Sequence, residues 1–201
     1  MVKRNVWERV RYWRARCSAY NPFFPITLRQ REGLFQRIVK EICVNKERGI
    51  VLDVGTGTGR LPLLLAEVAP EITCIGIDLN AVLLQKAKQI SSEKHFNDRI
   101  SFLQADVQAL PFANLSIDSA VSVASLHQWP DRVKGIKELY RVLKNQGIVR
   151  IWVSPMLMWL WDFFKRNLAN CRDRKVLFET TGFKGVLAGS EDVFLRIFGR
   201  K

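Results

Sequence analysis

One nine-residue run constrains the chain more than any other: Val51-Leu-Asp-Val-Gly-Thr-Gly-Thr-Gly59. Apolar residues lead into three glycines at alternate positions. Residues 60–69 then carry Leu61, Leu64, Leu65 and Val68 at helical spacing. A strand that turns through glycines into a helix opens a β-α-β unit. The alternation recurs along the chain. Residues 72–77, 99–105, 116–122 and 147–153 read as strands. Residues 81–93 read as a helix with Leu83, Leu84, Ala87 and Ile90 inward. Residues 131–143 read as another, with Val133, Ile136, Tyr140 and Leu143 inward. Such order implies right-handed crossovers and a parallel sheet, and the near-continuous apolar strands imply a sheet covered on both faces. The end of the chain differs. Residues 173–180 look helical, and residues 183–188 and 193–198 look like an antiparallel hairpin that closes the sheet.

Composition sets the outer limits. With 201 residues, 48% of them apolar, the chain has the size of one domain and can bury a full core. No apolar run reaches the roughly 18 residues needed to cross a bilayer. Cys17, Cys43, Cys74 and Cys171 are scattered without a C-x-x-C, so neither a zinc knuckle nor a disulfide framework is indicated, and no metal is expected. A reducing, cytoplasmic setting is the expectation. The net charge of +13 is uneven: residues 1–48 carry +8, residues 49–150 carry +1 and residues 151–201 carry +4. Basic ends around a near-neutral middle favour anionic partners, or serve only as a solvated surface.

The glycine run and its surroundings point to a nucleoside ligand. Gly55, Gly57 and Gly59 permit positive φ and close approach of backbone to a ligand. Asp78 ends the following strand, 21 residues after Gly57, where an acid can accept both hydroxyls of a ribose. A dinucleotide fingerprint would read G-x-G-x-x-G with a pyrophosphate on the helix N-terminus. Here the spacing is G-x-G-x-G, and Asp53 lies two residues before the first glycine. A carboxylate there opposes a pyrophosphate and suits an ammonium, unless it only caps the following helix. A nicotinamide-dependent oxidoreductase is disfavoured on both counts.

Residues 49–153 resemble a class I S-adenosylmethionine-dependent methyltransferase, with the ubiquinone/menaquinone-biosynthesis methyltransferase-like group (methyltransferase type 11) nearest in feel. Gly76-Ile-Asp-Leu-Asn80 resembles the ribose motif, and Gln104-Ala-Asp-Val-Gln-Ala-Leu-Pro-Phe112 the third-strand motif. Ser125-Leu-His-Gln-Trp-Pro-Asp131 resembles the segment after the fourth strand, and Glu138 to Gly147 the helix and turn before the fifth. The resemblance implies an α/β fold: a Rossmann-like three-layer αβα sandwich. Its seven-stranded, mostly parallel sheet would have the order 3-2-1-4-5-7-6 and a C-terminal antiparallel hairpin. It implies S-adenosylmethionine as cofactor, S-adenosylhomocysteine as product, and a cofactor site of Asp53, Gly55, Thr56, Gly57, Gly59, Asp78, Leu79, Asp106, Val107 and Ser125. Asp106 would meet the adenine amino group, with Leu79 and Val107 flanking the ring.

The acceptor side is less marked. His127 should lie near the end of the fourth strand and is a candidate general base, or else a polar wall or cofactor contact. Trp129, Met156, Trp159 and Trp161 flank the ends of the fourth and fifth strands and are expected to line an apolar pocket. That fits methyl transfer to an O or C atom of an apolar, aromatic or lipid-like small molecule. Val6, Val10, Trp13 and Cys17 lie at helical spacing among arginines. Residues 1–30 thus read as a basic amphipathic lid. Residues 1–48 offer contact with an anionic membrane or RNA. Residues 49–153 form the cofactor-binding core, and residues 154–201 a short cap, the last helix and the hairpin, all in one domain. RNA or protein methylation, or a non-catalytic cofactor-binding role, are the alternatives.

Overall fold

The computed structural model describes residues 28–45, 47–153, 171–191 and 194–201. Residues 1–27 of the expected lid, and also Met156, Trp159 and Trp161, lie outside the described residues. The first described helix, α1 (Leu28–Val44), precedes strand β1 (Gly49–Val54). Then come α2 (Arg60–Val68), β2 (Ile72–Asp78), α3 (Ala81–Glu93), β3 (Ile100–Gln104) and β4 (Ile117–Val123). A 3-10 turn at Leu126–Gln128 leads to α4 (Arg132–Val142) and β5 (Leu143–Val153), and the chain ends with α5 (Cys171–Thr181), β6 (Lys184–Glu191) and β7 (Phe194–Arg200). The strand order is β3-β2-β1-β4-β5-β7-β6. The pairs among β1 to β5 are parallel, and β7 runs antiparallel to both β5 and β6. The expected sheet order and hairpin closure are therefore observed.

The sheet separates two apolar clusters, because successive strand residues point to opposite faces. Val51 joins Leu34, Ile38 and Ile42 of α1, Leu61 and Leu65 of α2, and Phe102. Leu52 joins Ile136 and Leu139 of α4, Phe178 of α5, and Ile151. Helix α2 buries every residue from Leu61 to Ala66, so it is covered by α1 on its far side as well as by the sheet. Val68, expected on its inner side, is exposed.

Helix α1 is held in place by charge as well as by apolar packing. Arg150 of β5 is 0% exposed and donates to Glu41 of α1 at 2.9 Å, to Ser119 at 3.1 Å and to Glu47. Arg196 of β7 donates to the same Glu41 at 2.5 Å. Burial of an arginine is tolerable only when its donors are met in this way.

The inner face of α4 differs from expectation. Gly135, Ile136, Leu139 and Val142 are buried, whereas Val133 is exposed and Tyr140 half-buried. The face turns because Gly135 lies under the Trp129 indole: a Cβ there would sit 2.7 Å from Trp129 Cε3. Helix α4 also runs straight into β5. The turn expected between Leu143 and Gly147 is instead a strand irregularity, where the register shifts between Ile117/Leu143 and Ser119/Ile148 and Gln146 adopts φ 68°.

Candidate active site

The glycine loop forms at the carboxyl end of β1, where the crevice of such a sheet opens. Gly55, Gly57 and Gly59 adopt φ 77°, 58° and 76°. The loop is folded over β2: Gly55 and Thr56 both donate backbone N–H to Ile77 O, at 2.8 and 3.0 Å. The glycines differ in what they meet. At Gly59 a Cβ would lie 2.6 Å from Phe102 Cζ, and at Gly55 2.5 Å from Ser125 Cβ, so these two are required by the fold. At Gly57 nothing lies within 4 Å. That opening is where backbone can meet a ligand.

Asp78 sits at the end of β2. Its Oδ2 accepts from Gly57 N and its Oδ1 from Asn80 N, each at 2.9 Å. The carboxylate thus fixes the tip of the glycine loop while each oxygen keeps lone pairs for further donors. Burial raises its pKa against those stabilising hydrogen bonds. Asp53 is 4% exposed and accepts from Thr56 Oγ1 at 2.7 Å. Among the described residues no cation pairs with it. Burial, and then the nearby charge of Asp78, push its pKa up to about 7 although the Thr56 hydroxyl opposes this.

Asp106 follows β3 and accepts from Gln108 N at 3.0 Å and from the Gln108 amide Nε2 at 2.9 Å. Gln104 Nε2 donates to Leu79 O at 2.9 Å, so the loops after β2 and β3 are tied together. Leu79 is half-buried there. Val107 turns its side chain into the core, where a Gly135 Cβ would stand 3.4 Å from it, so its backbone is what it has to offer a ligand. Sequence reasoning missed both glutamines. Their signal was an amide next to each expected ligand-binding loop.

Ser125 ties three elements together. Its hydroxyl donates to Val54 O at 3.0 Å, meets Ser122 Oγ at 2.5 Å and accepts from Trp129 Nε1 at 3.1 Å. Ala124, between β4 and this serine, is held at φ 53°, a strained conformation for a residue with a Cβ.

Two residues expected on the acceptor side are buried. Trp129 is 7% exposed and packs between Ser125 and Gly135, with its N–H donating to Ser125 Oγ. His127 is 6% exposed, with Nδ1 buried and without a hydrogen-bond partner. Burial, and then the charge of Arg132, lower its pKa to about 4. An imidazole that binds protons so weakly is neutral at pH 7 and a poor general base.

A cavity of about 540 Å³ lies at the other edge of the sheet, lined by Leu115, Lys137, Tyr140 and Lys201 among others. It is not part of this site. Arg141 there spends its donors on Glu138, Asn114 and the carbonyls of Leu110 and Phe112. Among the described residues no cluster has the composition of a metal site.

Comparison with known proteins identifies the family. Residues 45–171 match the methyltransferase-domain family. The chain belongs to it. A demethylmenaquinone methyltransferase from Lactobacillus johnsonii is 31% identical over 170 residues, 78% of this chain and 69% of that protein. A ubiquinone/menaquinone biosynthesis C-methyltransferase from Geotalea uraniireducens is 36% identical over 102 residues, 50% of this chain and 43% of that protein. The chain spans about half the length, or less, of several curated relatives it matches. Among solved structures, an S-adenosylmethionine-dependent methyltransferase from Aquifex aeolicus superposes with a TM-score of 0.64 at 16% identity, over 83% of this chain and 88% of that one. The fold is that of the class I, Rossmann-like methyltransferases, and several of the sequence relatives are named for quinone biosynthesis.

Proposed function

We propose that this chain transfers a methyl group from S-adenosylmethionine to a ring carbon or oxygen of an apolar aromatic acceptor of the hydroquinone kind. The observation that carries the cofactor is the pair of carboxyl groups on adjoining strand ends. Asp53 is buried without a cation, and Asp78 stands beside the open Gly57. That arrangement suits a ligand with an ammonium group and a ribose, and it opposes a pyrophosphate. Asp78 would take the ribose hydroxyls, Asp106 the adenine amino group, and the backbone at Gly57 the amino-acid portion. The acceptor class is supported by the names of the relatives, which act in quinone biosynthesis.

The bound cofactor supplies a methyl carbon already activated by a positive sulfur. What the chain must add is alignment of the acceptor, worth several powers of ten in rate. A hydroquinone ring gains nucleophilic carbon when a phenolic O–H gives its proton to solvent, and the ring C–H proton that the methyl group replaces leaves to solvent afterwards. His127, with its pKa lowered to about 4, does not hold that proton at neutral pH. As a neutral imidazole it can accept a hydrogen bond from the hydroxyl and orient it.

An acceptor of this kind partitions into membranes. Among the described residues no helix is long and apolar enough to cross one. The +8 charge of residues 1–48 suits attraction to an anionic surface, so we place the chain in the cytoplasm, at the periphery of a membrane.

The test is incubation with S-adenosylmethionine and a short-tailed demethylmenaquinol, read by mass spectrometry. The expected product carries one added methyl group. Asp78→Ala should weaken S-adenosylhomocysteine binding by about 1–3 kcal/mol. A protein that binds S-adenosylhomocysteine and leaves every quinol unmodified would refute the acceptor class. One that binds no adenosyl ligand would refute the whole reading.

A further inference from the structure

Asp53 is a costly residue to keep where it is. It lies inside β1, paired in register with Gly76 of β2 and Val121 of β4, neither of which offers it a charge. Its one hydrogen bond among those described comes from Thr56, a neutral hydroxyl that is itself buried. The charged and titratable groups around it do not compensate it. From β2 come Asp78, a second negative charge, and Cys74, a thiol pushed up to about 12 by burial and so uncharged at neutral pH. From the start of α2 comes Arg60, whose guanidinium is taken by Glu32 of α1. From β4 and the turn after it come Ser122 and Ser125, which bond to one another. A buried carboxyl with no cation beside it holds its proton more tightly than a solvated one.

We infer that Asp53 makes cofactor recognition a proton-exchanging step: the empty site holds this carboxyl protonated, and a ligand that brings an α-ammonium group displaces the proton to solvent. The inference rests on the S-adenosylmethionine reading of the site and deepens it. The balance is simple. The O–H bond of the carboxyl breaks, the proton passes to buffer, and the carboxylate left behind pairs with the ammonium. Asp53 then determines specificity. A nucleoside that lacks the amino-acid portion cannot pull the proton off and forfeits the ion pair. Its pKa of about 7 in the empty site puts the exchange within the physiological range.

The experiment is calorimetric titration of the whole chain with S-adenosylhomocysteine and with 5′-methylthioadenosine. Both are run at several pH values, in phosphate and in imidazole, whose ionisation heats differ. Below pH 7 S-adenosylhomocysteine should release close to one proton, and its affinity should rise about 30-fold between pH 5.5 and pH 8. The 5′-methylthioadenosine arm keeps the ribose, and hence any contribution of Asp78, but lacks the ammonium. It should show neither proton release nor pH dependence. Asp53→Asn should bind S-adenosylhomocysteine with a flat pH profile and no buffer dependence. Tight, pH-independent binding of S-adenosylhomocysteine by the wild type would overturn the inference and leave the cofactor reading intact. Equal proton release with 5′-methylthioadenosine, or release that survives in Asp53→Asn, would move the proton to another group and also overturn it. Failure of both ligands to bind at any pH would remove the cofactor reading and the inference together.

Discussion

At the scale of single residues, glycines that look alike in sequence carry separable duties. Gly57 and Gly59 share a left-handed backbone, so a Cβ at either costs about 1 kcal/mol or more in conformation alone. Only Gly59 also meets a ring, with Phe102 Cζ at 2.6 Å from the added carbon. Gly59→Ala should therefore lower stability by about 2–4 kcal/mol, the conformational cost plus overpacking. Gly57→Ala should lose only about 1 kcal/mol of stability. Its methyl group would stand in the open space where the ligand is proposed, so S-adenosylhomocysteine binding should fall at least about tenfold, or ~1.4 kcal/mol. Urea unfolding and calorimetric titration of the two variants check the contrast. Loss of binding without loss of stability at Gly59, or the reverse at Gly57, would contradict it. The sequence shows the glycines and their acids because their spacing is local. It does not show which glycine faces Phe102, since that ring arrives from β3, 43 residues later.

At the scale of elements, the legible parts are those with uniform periodicity, and the illegible ones depend on partners far along the chain. Helix α1 carries Leu34, Ile38 and Ile42 at helical spacing, yet its surrounding charges read as a partner-binding surface. The acids Glu41 and Glu47, in and just after the helix, meet Arg150, more than 100 residues away, and no local pattern announces that pairing. The setting of Trp129 depends on a partner further along the chain as well. An aromatic at a strand end suggests a pocket wall, but Gly135 leaves a hollow on α4 that the indole fills. Arg150→Ala would leave Glu47 and part of Glu41 facing a low-dielectric interior without their cation. It should cost about 3–5 kcal/mol, whereas Arg150→Met, which fills the space, should combine lost pairing with retained packing and cost less when paired with Glu47→Gln. Urea midpoints of the three proteins decide this. An Arg150→Ala midpoint equal to wild type would mean that α1 is anchored by its apolar face alone.

At the scale of the whole molecule, two buried titratable groups in one crevice pull stability in opposite directions with pH. Asp53 has its pKa raised from 3.8 to about 7. Between those values the folded chain keeps a proton that the unfolded chain has lost, so stability falls as pH rises through that window. His127 has its pKa lowered from 6.5 to about 4. Between those values the unfolded chain binds a proton that the folded chain refuses, so stability rises with pH and is fully present above about 6.5. Each effect is on the order of 2 kcal/mol between about pH 5 and pH 7.5. In the wild type they largely cancel. Removing either group should expose the other. Asp53→Asn should lose stability, relative to wild type, more at pH 5 than at pH 7.5, since the proton that favoured the folded state at low pH is gone. His127→Leu should show the opposite change, with its relative stability best at pH 5. The double variant should return to the small pH slope of the wild type, because the two shifts arise mainly from separate burial and add when the groups do not interact. Urea unfolding of the four proteins at the two pH values tests the cancellation directly. A wild-type slope that neither substitution changes would mean that both side chains exchange protons with solvent freely, and that the crevice at the carboxyl edge of the sheet is wet in the folded state.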